Sequence, residues 1–203
     1  KSLNTSIEST ITDRLTDFGY KSNKTGFSIG SGFEFYDDLF WNTGVSAYVE
    51  KLDTDSKASA SMKKQEGSYF DTYFNQTFSY DKRNQKYKTS NGYISRFTQN
   101  IPVVSDTYTL TNGYDYKIYN EWYDENIASL GVYLKATNSL NGDNVKLSDR
   151  LYLPSSKLRG FENGKVGPKD GADFIGGNYV SAFNLATTLP QILPSLQNTD
   201  FSL

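Results

Sequence analysis

Strict period-two alternation, sustained over most of the chain, is the feature that most restricts what this sequence can fold into. Leu3, Thr5, Ile7, Ser9 and Ile11 alternate with Asn4, Ser6, Glu8, Thr10 and Thr12. After a polar stretch from Asp13 to Lys24, read as a loop, Phe27, Ile29, Phe33 and Phe35 oppose Ser28, Gly30, Gly32 and Glu34. Asp37-Asp38 then marks a tight turn into Trp41, Thr43, Val45, Ala47 and Val49. The same rhythm returns over Phe70 to Tyr80, around Phe97 and Ile101, over Tyr108 to Tyr123, over Ala128 to Ala136, and over Tyr179 to Leu189, and Phe201 opens one more strand. Side chains repeat at a period of two only in β-strands, so the chain reads as an all-β antiparallel meander with no convincing helix.

The connections alternate between short and long. Short turns fall at Asp37-Asp38 and Asp124-Glu125-Asn126, and long polar ones at Asp53 to Gly67 and after Ala136, where Val145 to Leu153 reads as a strand piece. Short turns on one side and long loops on the other are the pattern of a meander that crosses a membrane. The faces opposite the apolar residues carry Glu34, Glu50, Asp71, Asp115, Lys117, Glu121 and Lys135. Such charges suit a polar lumen and are costly in a dry core. A soluble antiparallel sandwich with a solvated charged face is the competing reading.

Composition bears on that choice. Of 203 residues, 16 are Tyr and 13 are Phe, against a hydrophobic share of 36%, so amphipathic rings replace aliphatic core. Rings with one polar end suit a boundary between lipid and water. No run of 18 apolar residues suggests a membrane helix, and a barrel gives only a weak hydropathy signal. A net charge of -2 offers no basic field for nucleic acid. With no His and no Cys, thiolate nucleophiles, the usual zinc sites and His-dependent triads are excluded within these residues. Gly30-Ser31-Gly32 lacks the helix a dinucleotide site needs, and Asp170 and Asp173 lack calcium-loop spacing, so no metal or cofactor is expected.

The stretch from Pro154 to Asn178 is rich in Gly and charge and does not alternate. Within it, Leu158-Arg159-Gly160-Phe161, then Gly167-Pro168, then Gly176-Gly177-Asn178 entering a strand resemble the sixth extracellular loop of the bacterial surface antigen (Omp85) superfamily of outer-membrane barrels. The length of the loop resembles the BamA branch. Asp81-Lys82-Arg83-Asn84, followed by Thr89 and Gly92, resembles a periplasmic turn of the same family, so the motif residues there are Asp81, Arg83, Asn84 and Gly92.

The resemblance implies a partial transmembrane β-barrel. Residues 1–203 would form part of one barrel domain, about nine strands of about sixteen, without the POTRA domains or the first and last barrel strands. Residues 139–177 would be a long extracellular loop folded into the lumen, with Arg159 held by carboxylates on the inner wall. Ala186 stands where the family places one such acid, and Glu121 or Asp149 is a possible substitute. The implied function is assembly of other β-barrels in the bacterial outer membrane, without enzymatic chemistry. The implied partners are nascent client barrels, accessory lipoproteins reached through the absent POTRA domains, and outer-membrane lipid. A passive or secretion transport barrel is the alternative.

Overall fold

The computed structural model describes residues 2–14, 18–123, 126–189 and 201–202. Strand β1 is Ser2–Arg14, β2 Tyr20–Tyr36, β3 Leu39–Thr54, β4 Gly67–Asp81, β5 Gly92–Ser105, β6 Thr109–Tyr123 and β7 Asn126–Ser139. Two-residue strands β8 (Lys169–Asp170) and β9 (Asp173–Phe174) pair within the long loop, ahead of β10 (Tyr179–Leu189) and β11 (Phe201–Ser202). The main sheet has the order β1-β2-β3-β4-β5-β6-β7-β10-β11, each strand antiparallel to the next, so eight long strands and one short one form an open meander. This is the all-β antiparallel architecture the alternation predicts.

The sheet is inside out relative to a soluble sandwich. Residues of the apolar faces lie exposed, among them Phe27, Val49, Phe70, Leu130 and Phe183. The opposite faces hold the buried groups, including Glu50 and Asp71, each 1% exposed. Apolar side chains left outward and charges drawn inward cost too much in water and little where lipid faces one side and a polar lumen the other. Glu8 of β1, Thr111 of β6 and Lys135 of β7 line one cavity of about 480 Å³, so the sheet curls to bring its first and seventh strands around a shared polar space. Among the described residues no helix is long and apolar enough to cross a membrane.

Three local expectations need correction. Lys21 to Lys24 belong to β2, because Arg14 pairs with Tyr20 and the ladder runs through Thr10 opposite Lys24. Asp13 and Arg14 of that expected loop belong to β1 and Tyr20 to β2, while its residues 15–17, and Asp124-Glu125, lie outside the described residues. Val145 to Leu153 is not a strand: Leu147–Asp149 forms a 3-10 turn, and only Leu151 bridges Gly177. A full helical turn, α1 (Ala60–Lys63), lies within the connection between β3 and β4. There Ser59 Oγ accepts a 3.2 Å hydrogen bond from the Met62 N–H, the usual N-cap bond.

A compact apolar cluster sits at the long-loop end, formed by Phe18, Tyr20, Leu52, Ala58, Met62 and Leu147. Met62 comes from α1 and Leu147 from the long loop, so this cluster is where the loops pack onto the wall.

Candidate functional site

The long loop turns inward and is fastened to the wall at several points. At its centre lies Lys146, whose side chain is 2% exposed. Its Nζ is 2.7 Å from Glu50 Oε2 on β3, 2.9 Å from Asp71 Oδ2 on β4, and 3.6 Å from Asp149 Oδ2 three residues along the loop. The contact to Asp71 is a hydrogen bond donated by the lysine, and the ammonium also sits 4.8 Å from the centre of the Tyr69 ring. The other oxygens of the two wall acids are satisfied as well. Ser22 Oγ donates to Glu50 Oε1, and the Thr107 N–H and hydroxyl both donate to Asp71 Oδ1.

Burial alone would lower the Lys146 pKa, but the charges of Asp149, Glu50 and Asp71 more than offset it and hold the ammonium well above its ordinary value. Burial pushes the Asp149 carboxyl up against the pull of Lys146. Lys146 thus faces three carboxyl groups at once and offsets the cost of burying them.

Other contacts extend the fastening. The Leu147 N–H donates to Gln65 Oε1 at 3.0 Å, while its side chain enters the apolar cluster. Asp170 Oδ2 accepts from Ser59 and Ser61 at 2.5 and 2.6 Å, which lowers its pKa. Lys157 Nζ reaches Asp115 of β6 at 2.6 Å, and the Asn184 amide of β10 donates to the Lys157 carbonyl at 2.9 Å. Phe18 meets the Tyr152 ring edge-on at 5.3 Å. At Gly164, with φ +79°, an added Cβ would lie 2.8 Å from the Phe18 ring, so the close approach there requires glycine.

The loop residues singled out from sequence divide into two groups. Gly176 and Gly177 close the loop on its own Leu151, and Asn178 joins it to β7. Gly177 exchanges two backbone hydrogen bonds with Leu151, the Asn178 carbonyl accepts from the Thr137 N–H, and a Cβ at Gly176 would press on the Leu151 carbonyl at 2.9 Å. Pro168, after Gly167, accepts from the Ile175 N–H. Arg159, Gly160 and Phe161 are exposed, with Leu158 half-buried beside them. The carboxylate contact expected of Arg159 is not made among the described residues. Ala186 offers no acceptor, and Asp149, one proposed substitute, is engaged by Lys146 instead. Gly160 adopts φ +82° with nothing within 4 Å of its would-be Cβ, so the tip turns into open space.

The turn motif is assembled at the opposite end of the sheet. Arg83 grips Asp81 with two parallel bonds, Nε to Oδ1 at 2.8 Å and Nη2 to Oδ2 at 2.7 Å. Asn84 Oδ1 accepts from the backbone N–H groups of Gln85, Ser90 and Asn91, closing the turn on itself. Gly92 has φ +102°, and a Cβ there would lie 2.1 Å from the Lys82 carbonyl oxygen. Lys146 with Glu50 and Asp71 is the part that sequence reading missed. Its only signal was the pair of inward acids on adjoining strands, which called for a cation without naming it.

A curled, inside-out antiparallel wall with its longest loop anchored inside defines part of a transmembrane β-barrel. The sequence matches the Omp85 superfamily domain over residues 1–202, and the chain belongs to that superfamily, whose members are outer-membrane β-barrel proteins. The fold is similar to the crystal structure of BamA from Haemophilus ducreyi lacking POTRA domains 1-3, with a TM-score of 0.82 and 20% identity, covering 98% of this chain and 44% of that one. A SAM50-like protein of Schizosaccharomyces pombe is 43% identical over 63 residues, 30% of this chain and 13% of the relative. The chain therefore spans less than half the length of the BamA chain it matches.

Proposed function

We propose that this chain is the middle wall of an outer-membrane factor that folds and inserts other β-barrels, with nascent barrels as clients and lipid around its outer face. The observation that carries the reading is the buried Lys146 cluster. It fixes the long loop against β3 and β4 on the inner face of the wall. By this reading the work is strand addition at an open sheet edge elsewhere in the complete barrel, driven by unpaired backbone groups and needing no covalent chemistry. The exposed Arg159 to Phe161 tip would be available to further wall strands of the complete barrel. Accessory subunits would dock through domains outside it.

A bacterial outer membrane is the setting expected from the loop motif. The 43% identity to a SAM50-like fission-yeast protein, over 30% of this chain, supports a mitochondrial outer membrane as a second setting.

The test is depletion of the full-length protein, followed by heat-modifiability of newly made barrel proteins on semi-native gels. Loss of their folded forms, restored by the intact chain, is the expected result. Unchanged client folding, together with a large and steady solute-permeable conductance of the purified protein, would support the transport reading and overturn this one.

A further inference from the structure

The outward wall contains a row of uncharged polar side chains where lipid-facing residues should be apolar. Cross-strand pairing aligns Ser31 of β2 with Thr43 of β3, Thr43 with Gln76 of β4, Gln76 with Gln99 of β5, and Gln99 with Asn112 of β6. All five share the face that carries Phe27, Val45, Phe74, Phe97 and Tyr114, because each is an even number of residues from one of these on the same strand. Three of them form a hydrogen-bonded chain. Gln76 Nε2 donates to Gln99 Oε1 at 2.7 Å, and Gln99 Nε2 donates to Asn112 Oδ1 at 2.8 Å. The chain leaves an acceptor, the Gln76 carbonyl, at one end and a donor, the Asn112 amide N–H, at the other, both without a side-chain partner among the described residues. In hydrocarbon an unmatched donor and acceptor are costly, so the row asks for a partner that supplies both.

The geometry narrows the partner. Thr43 lies four residues from the short-turn end of β3, whereas Asn112 lies three residues from the long-loop end of β6, so the row crosses the wall obliquely from one side of the membrane toward the other. Its polar groups recur once per strand, about 4.8 Å apart, close to the roughly 5.4 Å rise of one helical turn and well short of the roughly 6.7 Å same-face repeat of a strand. At the upper end Ala136 and Ser181 floor a depression of about 340 Å³ walled by Tyr114 and Tyr179, room for a helix to lie close. Small floors and neutral hydrogen-bonding groups are what membrane helices use to associate. We infer that this row is a docking seat for a single membrane-spanning helix of a partner protein that presents Ser, Thr, Asn or Gln once per turn along one face. The inference rests on the outward face lying in lipid and is independent of what the barrel does.

The test uses the full-length protein in its own membrane, with a photo-cross-linking residue at Val45, beside the row, or at Leu130, on the same face but away from it. The expected result is a protein adduct from Val45 whose linked peptide maps to a membrane-spanning helix. It should be at least about tenfold weaker from Leu130 and reduced by a similar factor in the Gln76→Leu, Gln99→Leu, Asn112→Leu triple variant. Should the triple variant fail to fold, as judged by heat-modifiability, Gln99→Met alone is read in the same way and should weaken the adduct about threefold. The inference is overturned by adducts to lipid alone, to a second copy of the chain, or to a strand of a client barrel. An adduct indifferent to these substitutions, or no adduct, overturns it equally.

Discussion

Replacing Lys146 by Met keeps the length of the side chain and removes the ammonium that contacts Glu50, Asp71 and Asp149. Removing one partner of a buried, hydrogen-bonded charge cluster typically costs about 3–5 kcal/mol, because the remaining charges stay buried without compensation. At about 1.4 kcal/mol per tenfold, the equilibrium between docked and released loop should shift by roughly two to three and a half powers of ten. The strand ladders do not depend on this lysine, so the barrel should stay folded while residues 139–177 open. Hydrogen exchange of the full-length barrel in detergent reads this directly, as a loss of protection at the Leu147 and Leu151 amides with β6 and β7 unchanged. Acid should partly reverse it. Burial already raises the Asp149 pKa against the pull of Lys146, and without the lysine it rises further. A carboxyl whose docked pKa exceeds its free value supports docking below the free value and loses that support as pH rises through the docked one. The variant loop should therefore be better protected in mild acid than at neutral pH. Adding Asp71→Asn should recover part of the loss in a double-mutant cycle. Wild-type protection in Lys146→Met at neutral pH would refute the anchoring role.

Lys157→Ala breaks a partly exposed pair with Asp115 and should loosen the loop by no more than about 1 kcal/mol, an effect that salt abolishes in the same exchange measurement. Gly92→Ala must move its backbone away from the Lys82 carbonyl out of a left-handed conformation, costing about 1–3 kcal/mol and visible as a lower melting temperature of the barrel in detergent. Arg83→Lys forfeits the two-pronged grip on Asp81 and should speed exchange of the Asn84 amide, which Asp81→Asn should mimic. Arg159→Ala should leave loop protection unchanged, and a fall in outer-membrane assembly of the complete protein would then assign its role to wall strands beyond this chain.

The wall was legible because alternation reports directly on which side chains share a face. Phe27 to Phe35 against Ser28 to Glu34 places β2 without any knowledge of its partners. The turn was legible for a related reason: Asp81, Arg83, Asn84 and Gly92 act within a dozen residues, where sequence spacing and spatial contact nearly coincide. The anchor was not, because Lys146 lies 75 residues from Asp71 and joins it only when the loop folds back. Alternation also misled at Val145 to Leu153. There the apolar residues Val145, Leu147 and Leu151 are buried under the loop, Leu147 through a 3-10 turn rather than a strand, and a short apolar rhythm cannot distinguish the two. The polar run at Lys21 to Lys24 read as a loop because its inward positions face a polar cavity rather than a core, as Lys24 does.

The placement of the fastenings restricts how the wall can move. Lys146 ties the loop to β3 and β4, Asp170 ties it to the turn at α1, and Lys157 with Asn184 ties it to β6 and β10. The loop therefore spans the inner face like a brace, from the third and fourth strands to the sixth and the eighth of the sheet order. Flattening the sheet between β3 and β6 would stretch that brace and expose the Lys146 carboxylates, a cost set by the buried charges rather than by the ladder bonds, which a flattened sheet keeps. Closing it further would force the loop onto the cavity lined by Glu8 and Lys135. A barrel containing this wall must then change shape elsewhere, at strands the loop does not reach. Freeing the loop by Lys146→Met should consequently let the sheet bend more freely between β3 and β6 while the β3–β4 ladder bonds hold, so that exchange rises in residues 139–177 and not in those strands.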